Sequence, residues 1–162
     1  SYGNGSAMRV SPVLWLGGDH VEDAKKSAEV THSHPEGIRG AQAVALAIYS
    51  AKRGSPPALI KREVNFHHKY DLDESIDSIR EWYDFDETCQ GTVPQAIICA
   101  LEASSFEDAI RNAISIGGDS DTVAAITGSI AEARFNIPDD IREKGMSYLP
   151  REMADIVDQV YC

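Results

Sequence analysis

An all-α fold follows from three properties of this 162-residue sequence. Apolar residues recur at three- and four-residue spacing almost throughout. The β-branched residues share that spacing instead of alternating. Cap, proline and glycine signals punctuate the chain at helix-sized intervals. Hydrophobic residues make up 43% and charged residues 25%, a globular composition that excludes a disordered tail, a collagen-like repeat and a low-complexity segment. No internal repeat or linker interrupts it, so a single compact helical domain over 1–162 is expected.

The elements follow in order. A polar, glycine-rich opening, Ser1-Tyr2-Gly3-Asn4-Gly5-Ser6, runs into an apolar helix. A helix over 21–30 carries Val21, Ala24, Ala28 and Val30 near one stripe, with Asp19 as its cap and Glu22 three residues on. Pro35 opens a long helix to about Lys52, in which Ile38, Ala41, Ala45, Ile48 and Tyr49 share a face. The run Gly54-Ser55-Pro56-Pro57 ends it, and a weaker amphipathic stretch covers 58–70. The acidic middle, 71–91, holds a short helix over 75–82 and a loop at 83–86.

Pro94 is expected to open a buried helix to Glu102, through Ala96, Ile97, Ala100 and Leu101. Ser104 and Glu107 read as a capping box ahead of Ala109, Ile110, Ala113, Ile114 and Ile116. Gly117-Gly118 stops that helix and Asp119 starts the next, with Val123, Ile126 and Ile130 on its face. Pro138 and Pro150 each open a terminal helix. The small residues Ala41, Ala43, Ala45 and Ala47, and Ala124, Ala125, Gly128 and Ala131, predict two central helices that neighbours approach closely.

Charge narrows the partners. Fifteen Lys and Arg against 26 Asp and Glu give a net charge of −11, which repels nucleic-acid backbones and anionic membranes. The basic pairs Lys25-Lys26, Lys52-Arg53 and Lys61-Arg62 are expected on solvated helix faces. Cys89, Cys99 and Cys162 are odd in number and scattered, neither a disulfide framework nor a zinc site, and predict a protein of the reducing cytoplasm. No apolar run is long enough to span a bilayer.

Gly117-Gly118-Asp119-Ser120-Asp121-Thr122 is the most informative string. Two carboxylates two residues apart, followed by a hydroxyl, present several oxygens at a helix mouth, the donors that Mg²⁺ or Mn²⁺ take. The same string also reads as a helix start, with Asp119 as the cap and Asp121 facing the helix dipole. The opening loop offers N–H groups and hydroxyls to phosphate oxygens, or is a plain helix start. His32 and His34 in Thr31-His32-Ser33-His34 either contact a ligand or lie at a helix end. His67 and His68 are expected at the surface, and Trp15 and Trp82 in the core or at its rim. Cys89 lacks a base partner and is not expected to be a nucleophile.

These strings, with Gly37, Gly40-Ala41 and Thr92-Val93-Pro94-Gln95-Ala96, occur in the order found in the ADP-ribosylglycohydrolase family, which the chain resembles over essentially its whole length. The resemblance implies a compact orthogonal helical bundle with a two-metal centre of Mg²⁺ or Mn²⁺. The implied chemistry is hydrolysis of the bond from ADP-ribose to an acceptor such as an arginine side chain. Asp119, Asp121 and Thr122 match the family's C-terminal metal-ligand motif, with Gly118 beside it. Ser1, Gly3 and Asn4, with Gly5, match its diphosphate loop, and Tyr2 stands beside the nucleotide. His32 matches a ligand-contacting histidine, His34 a more variable position, and Arg9 a residue holding the loop.

The family's Thr-Asp-Asp motif, which supplies the remaining metal ligands and an acidic catalytic group, is absent from these residues. The resemblance is therefore to the C-terminal part, with the N-terminal part missing. That implies a truncated product or a partner fragment carrying the other ligands, and weak metal binding by this chain alone. An ADP-ribosylated protein or a small ADP-ribosyl compound is the implied substrate, with the acidic loop over 83–89 on the acceptor side. A non-catalytic relative, either an ADP-ribose-binding module or a structural, crystallin-like protein, is the alternative.

Overall fold

The computed structural model describes residues 1–161; Cys162 lies outside them. The described residues form α1 (Gly5–Met8), a 3-10 turn (Ser11–Leu14), α2 (His20–Glu29), α3 (Pro35–Lys52), α4 (Pro57–His68) and α5 (Ile76–Trp82). There follow α6 (Cys89–Glu102), α7 (Phe106–Ser115), α8 (Ser120–Phe135), α9 (Asp139–Met146) and α10 (Arg151–Tyr161). The only β pairing among them is one isolated antiparallel bridge between Gly3 and Thr88. The fold is the all-α bundle that the periodicity predicts. None of the described helices is long and apolar enough to cross a membrane.

Helix α3 is the hub. Pro35 fills its first turn, where a missing N–H costs nothing. Its buried residues are mostly Gly, Ala and Ser, with Val44 and Ile48. Slim side chains on several faces let α1, α2, α4, α6 and α8 all reach it. At Gly40 a Cβ would lie 2.5 Å from the Cys89 Sγ, so the α3–α6 contact depends on that missing atom.

Helix α6 begins earlier than Pro94 suggests. Thr88 caps it by accepting from the Gly91 N–H at 3.1 Å, and Pro94 sits inside the helix. Proline is tolerated so near the start because only the Gln90 carbonyl loses its helical donor, and Gln90 is exposed. Every residue from 92 to 101 is buried, so α6 is the most enclosed helix described.

The cap of α7 also shifts by one residue. Ser105 accepts from the Asp108 N–H, while the Asp108 carboxylate accepts from the Ser104 N–H and hydroxyl. Those two bonds to Ser104 lower the Asp108 pKa. Glu107 instead pairs with Arg111 at 2.6 Å.

Helix α8 packs on α7, α6, α3 and α1 through Val123, Ile126 and Ile130. It is less enclosed than its small residues imply, because Ala125 is exposed and Ala124 only half-buried. The opening apolar helix is one turn long, and the chain re-forms as the 3-10 turn at Pro12.

Of the two adjacent histidines, His67 is exposed but His68 is only 8% accessible. Burial, reinforced by His67 and Arg39, lowers the His68 pKa to about 4. Trp15 and Trp82 are 37% and 53% accessible, a rim rather than a core position, and the Lys52 ammonium lies 3.5 Å from the Trp15 ring centre. A second, smaller apolar cluster of Ala103, Phe106, Ala109 and Ala131 joins α7 and α8 to the chain leading into α9.

Candidate functional site

The opening loop is built by backbone pairing to the 86–92 segment. The Asn4 N–H donates to the Glu87 carbonyl at 2.7 Å, and the Cys89 N–H to the Tyr2 carbonyl at 2.9 Å. The Cys89 thiol donates to the Gly3 carbonyl at 3.2 Å, and burial raises its pKa, as expected for a structural thiol. From below, the Ser6 hydroxyl donates to the Gly37 carbonyl at 2.8 Å. A Cβ on Gly37 would lie 2.8 Å from the carbonyl oxygens of both Ser1 and His32. This glycine lets both stretches of chain rest on α3.

Helix α8 delivers Asp119 to that loop. Gly117 and Gly118 both take left-handed φ angles, +79° and +68°, and the Tyr83 ring lies where a Gly118 side chain would be. This turn stops α7 and re-aims the chain. Asp119 stands at the N-cap of α8 but makes no side-chain cap bond. Its Oδ2 accepts instead from the Asn4 Nδ2 at 2.7 Å, across 115 residues of sequence. The same Nδ2 donates to the Thr92 Oγ1 at 3.0 Å. Asn4 is 7% accessible.

Asp121 is exposed, and its Oδ1 accepts from the Thr122 N–H at 3.0 Å. Thr122 is buried with its hydroxyl toward the Met8 Sδ, 3.6 Å away. The three residues offer oxygen donors, the set a hard cation takes. Among the described residues, no three His, Cys, Asp or Glu side chains gather closely enough to hold an ion by themselves. Asp119, Asp121 and Thr122 thus supply donors of the type Mg²⁺ or Mn²⁺ takes, without forming a complete ligand set.

His32 lies on the other side of the loop, its Nε2 3.3 Å from where a Gly5 Cβ would be. Arg9 donates to the Thr31 Oγ1 at 2.7 Å and to the Ser27 carbonyl at 2.8 Å. The Thr31 Oγ1 lies 2.6 Å from the His32 Nδ1. The Thr31 hydroxyl thus bridges Arg9 and the His32 Nδ1, and the His32 Nε2 faces the loop. Burial and then the Arg9 charge lower the His32 pKa, favouring the neutral ring. His34 serves the helix instead, since its Nδ1 caps α3 by accepting from the Glu36 N–H at 3.2 Å. The Tyr2 ring stands edge-on to it at 5.4 Å and is half exposed.

Of the sequence-predicted residues, the fold thus gathers Ser1, Tyr2, Gly3, Asn4, Gly5, His32 and His34 around one loop, with Asp119 bonded to it. Gly118 shapes the approach and Thr122 packs against α1. No hydrogen bond ties Asp121 to the loop. In the acidic segment, Asp86 faces inward: its Oδ1 accepts from the Thr88 N–H at 2.7 Å, and its carboxylate fills the space beside Gly91. Asp84 and Glu87 remain exposed. Sequence reasoning took Thr92 only as part of a motif string and Tyr83 only as one end of the acceptor-side loop, and gave neither an individual role. A hydroxyl heading the buried stretch of α6 was the available signal for Thr92.

The family model for ADP-ribosylglycohydrolase matches residues 1–161, and the chain belongs to that family. ADP-ribosylhydrolase ARH3 of Bos taurus is 26% identical over 211 aligned residues, covering 98% of this chain and 57% of its own length. The Homo sapiens ARH3 gives the same identity and coverage. An uncharacterized protein of Archaeoglobus fulgidus is 33% identical over 154 residues, covering 83% of this chain and 50% of its own length. A solved structure titled ADP-ribosylglycohydrolase-related protein complex superposes with a TM-score of 0.71 at 24% identity, over 99% of this chain and 60% of that one. The chain therefore spans about half to three-fifths of the length of these relatives. Its alignment with ARH3 is longer than the chain itself, so those relatives carry insertions within the matched region.

Proposed function

We propose that this chain supplies the C-terminal portion of an ADP-ribosylglycohydrolase and, with the rest of that fold, hydrolyses the glycosidic bond between ADP-ribose and a protein side chain. One observation supports it above the others. The Asn4–Asp119 hydrogen bond joins the proposed diphosphate loop to the proposed metal-ligand helix. A carboxylate freed from capping its own helix, and held against a glycine-rich loop, suits a ligand whose diphosphate and ribose lie on adjacent surfaces.

In this reading the first-turn amide of Gly5, which has no intrahelical acceptor, and the His32 ring edge at Nε2 face the diphosphate oxygens. Tyr2 flanks the nucleotide. Asp119, Asp121 and Thr122 contribute oxygens toward Mg²⁺ or Mn²⁺. When bound, such an ion orients the ribose hydroxyls and lowers the pKa of the attacking water. Asp119 is held by Asn4 and turned to the ligand set, so the general base is assigned to the part of the fold outside this chain. Asp84 and Glu87 suit a guanidinium on the acceptor side, favouring an arginine linkage. Exposed charges contribute only a fraction of a kcal/mol each, about 0.2–1 kcal/mol.

Calorimetric titration of the chain with ADP-ribose in the presence of Mn²⁺ tests the binding half. Saturable one-to-one binding that Asn4→Ala abolishes is expected, and no binding overturns it. For the chemistry, the chain joined to the family segment carrying the remaining ligands is offered matched arginine-, serine- and acid-linked ADP-ribosyl peptides. Preferred turnover of the arginine peptide is expected. Equal turnover, or turnover of the serine peptide alone, removes the arginine assignment. Failure on all three at full metal occupancy overturns the enzyme reading in favour of a binding module.

A further inference from the structure

The neighbours of Asn4 fix the direction of its hydrogen bonds. A backbone carbonyl only accepts, so the 2.8 Å contact between the Thr92 Oγ1 and the Asp86 carbonyl consumes the Thr92 hydroxyl hydrogen. The Thr92 oxygen must then accept from the Asn4 side chain at 3.0 Å, and any bond it makes with the Tyr83 hydroxyl is likewise accepted. An ionised Asp119 carboxylate likewise only accepts, at 2.7 Å. Both acceptors therefore face the same Asn4 nitrogen, and its two hydrogens are fully used. The alternative flip of the amide would set its oxygen against the Asp119 carboxylate and a Thr92 oxygen with no hydrogen to give. That leaves the Asn4 Oδ1 turned away from both partners, as an acceptor for a ligand hydroxyl.

We infer that Thr92 is a positioning residue for the ligand site: by spending its proton on the Asp86 carbonyl it offers the Asn4 amide a second acceptor beside Asp119, and so fixes the side chain that holds the Asp119 carboxylate. The inference rests on the functional reading above for the identity of the ligand, but not for the orientation of Asn4. Thr92 is fully buried and reaches no ligand itself. The Asp86 carbonyl that orients it is anchored in turn, since the Asp86 carboxylate holds the Thr88 N–H at the cap of α6. The polarity thus starts at a helix cap and ends at the site. Valine at position 92 keeps the shape but removes one of the two acceptors that hold the Asn4 amide, leaving Asp119 as the other.

The experiment compares the whole chain with Thr92→Val and Thr92→Ser. The Asn4 side-chain amide protons are followed by NMR, and ADP-ribose with Mn²⁺ is titrated by calorimetry. In the parent and in Thr92→Ser, two separate and exchange-protected Asn4 side-chain resonances are expected. In Thr92→Val the side-chain hydrogen that faced Thr92 loses its protection, while the one on Asp119 and the backbone N–H groups of Asn4 and Cys89 stay protected, so the loop remains in place. ADP-ribose affinity then falls about tenfold in Thr92→Val and recovers in Thr92→Ser, the scale of one lost hydrogen-bonded orientation.

Unchanged Asn4 protection in Thr92→Val overturns the inference, as does unchanged affinity in a parent that binds. If the parent binds no ADP-ribose, the functional reading fails and the NMR comparison alone decides on Thr92. Thr92→Ala, which likewise removes the hydroxyl, replaces the valine variant if that chain does not fold.

Discussion

Gly118 and Gly117 both sit in the left-handed region, yet only Gly118 is also crowded: a Cβ there would lie 2.4 Å from the Tyr83 Cε1, whereas Gly117 faces open space. Alanine at 117 should cost about 1 kcal/mol, from backbone conformation alone. Alanine at 118 adds displacement of a half-buried ring and should cost more, about 2–4 kcal/mol. Urea unfolding of the two variants compares them directly, and equal costs would show that Tyr83 yields freely. His68 sets a pH dependence. Its pKa is depressed to about 4 in the fold from an ordinary 6.5, so the unfolded chain binds the extra proton between those values. Stability is therefore full above about pH 6.5 and is lost as the pH falls toward 4, by about 3 kcal/mol. His68→Gln should flatten that part of the unfolding profile, and an unchanged slope would assign it to other groups.

Helices α3 and α6 cross where Gly40 meets Cys89, and here an element's packing depends on one absent methyl. Gly40→Ala improves the helix propensity of α3 but drives a Cβ to 2.5 Å from the Sγ and 2.8 Å from the Cβ of Cys89. Both side chains are buried in the main core, so the clash cannot relax into solvent. The net result should be a loss of about 1–3 kcal/mol despite the better propensity. Because Cys89 also holds the Tyr2 and Gly3 carbonyls, the same variant should speed hydrogen exchange at the Asn4 and Cys89 N–H groups. Stabilisation in chemical unfolding would show that the helices can separate without penalty. Helix starts illustrate a related point. Both Ser104 and Ser105 are chemically able to cap α7, and the choice between them is made by Asp108 reaching back to Ser104.

Across the whole molecule, a net charge of −11 is spread over a surface whose ion pairs mostly lie one helical turn apart and exposed. Such pairs contribute little, about 0.3–0.5 kcal/mol. Self-repulsion acts over the entire surface and is screened within a Debye length of about 10 Å at moderate salt. Added sodium chloride should therefore raise the thermal midpoint at neutral pH. A midpoint that falls with salt would mean that the ion pairs outweigh the repulsion.

What the linear chain determined by itself is periodicity and local chemistry. The bounds of α3, the Asp19 cap of α2, the Gly117-Gly118 stop and the all-α class are written in neighbouring residues, because helix geometry repeats within four positions. The order of motifs was enough to place the chain in its family. Tertiary structure alone decided which competing use each ambiguous residue takes. Asp119 had a cap position available at the head of its own helix, yet bonds Asn4, 115 residues away. His34 caps a helix while His32 turns its Nε2 to the loop. His68 is buried where its twin His67 is not, and Asp86 turns inward from an acidic run. Each of these choices depends on a partner distant in the chain, and spacing along a sequence carries no record of what lies across a helix crossing.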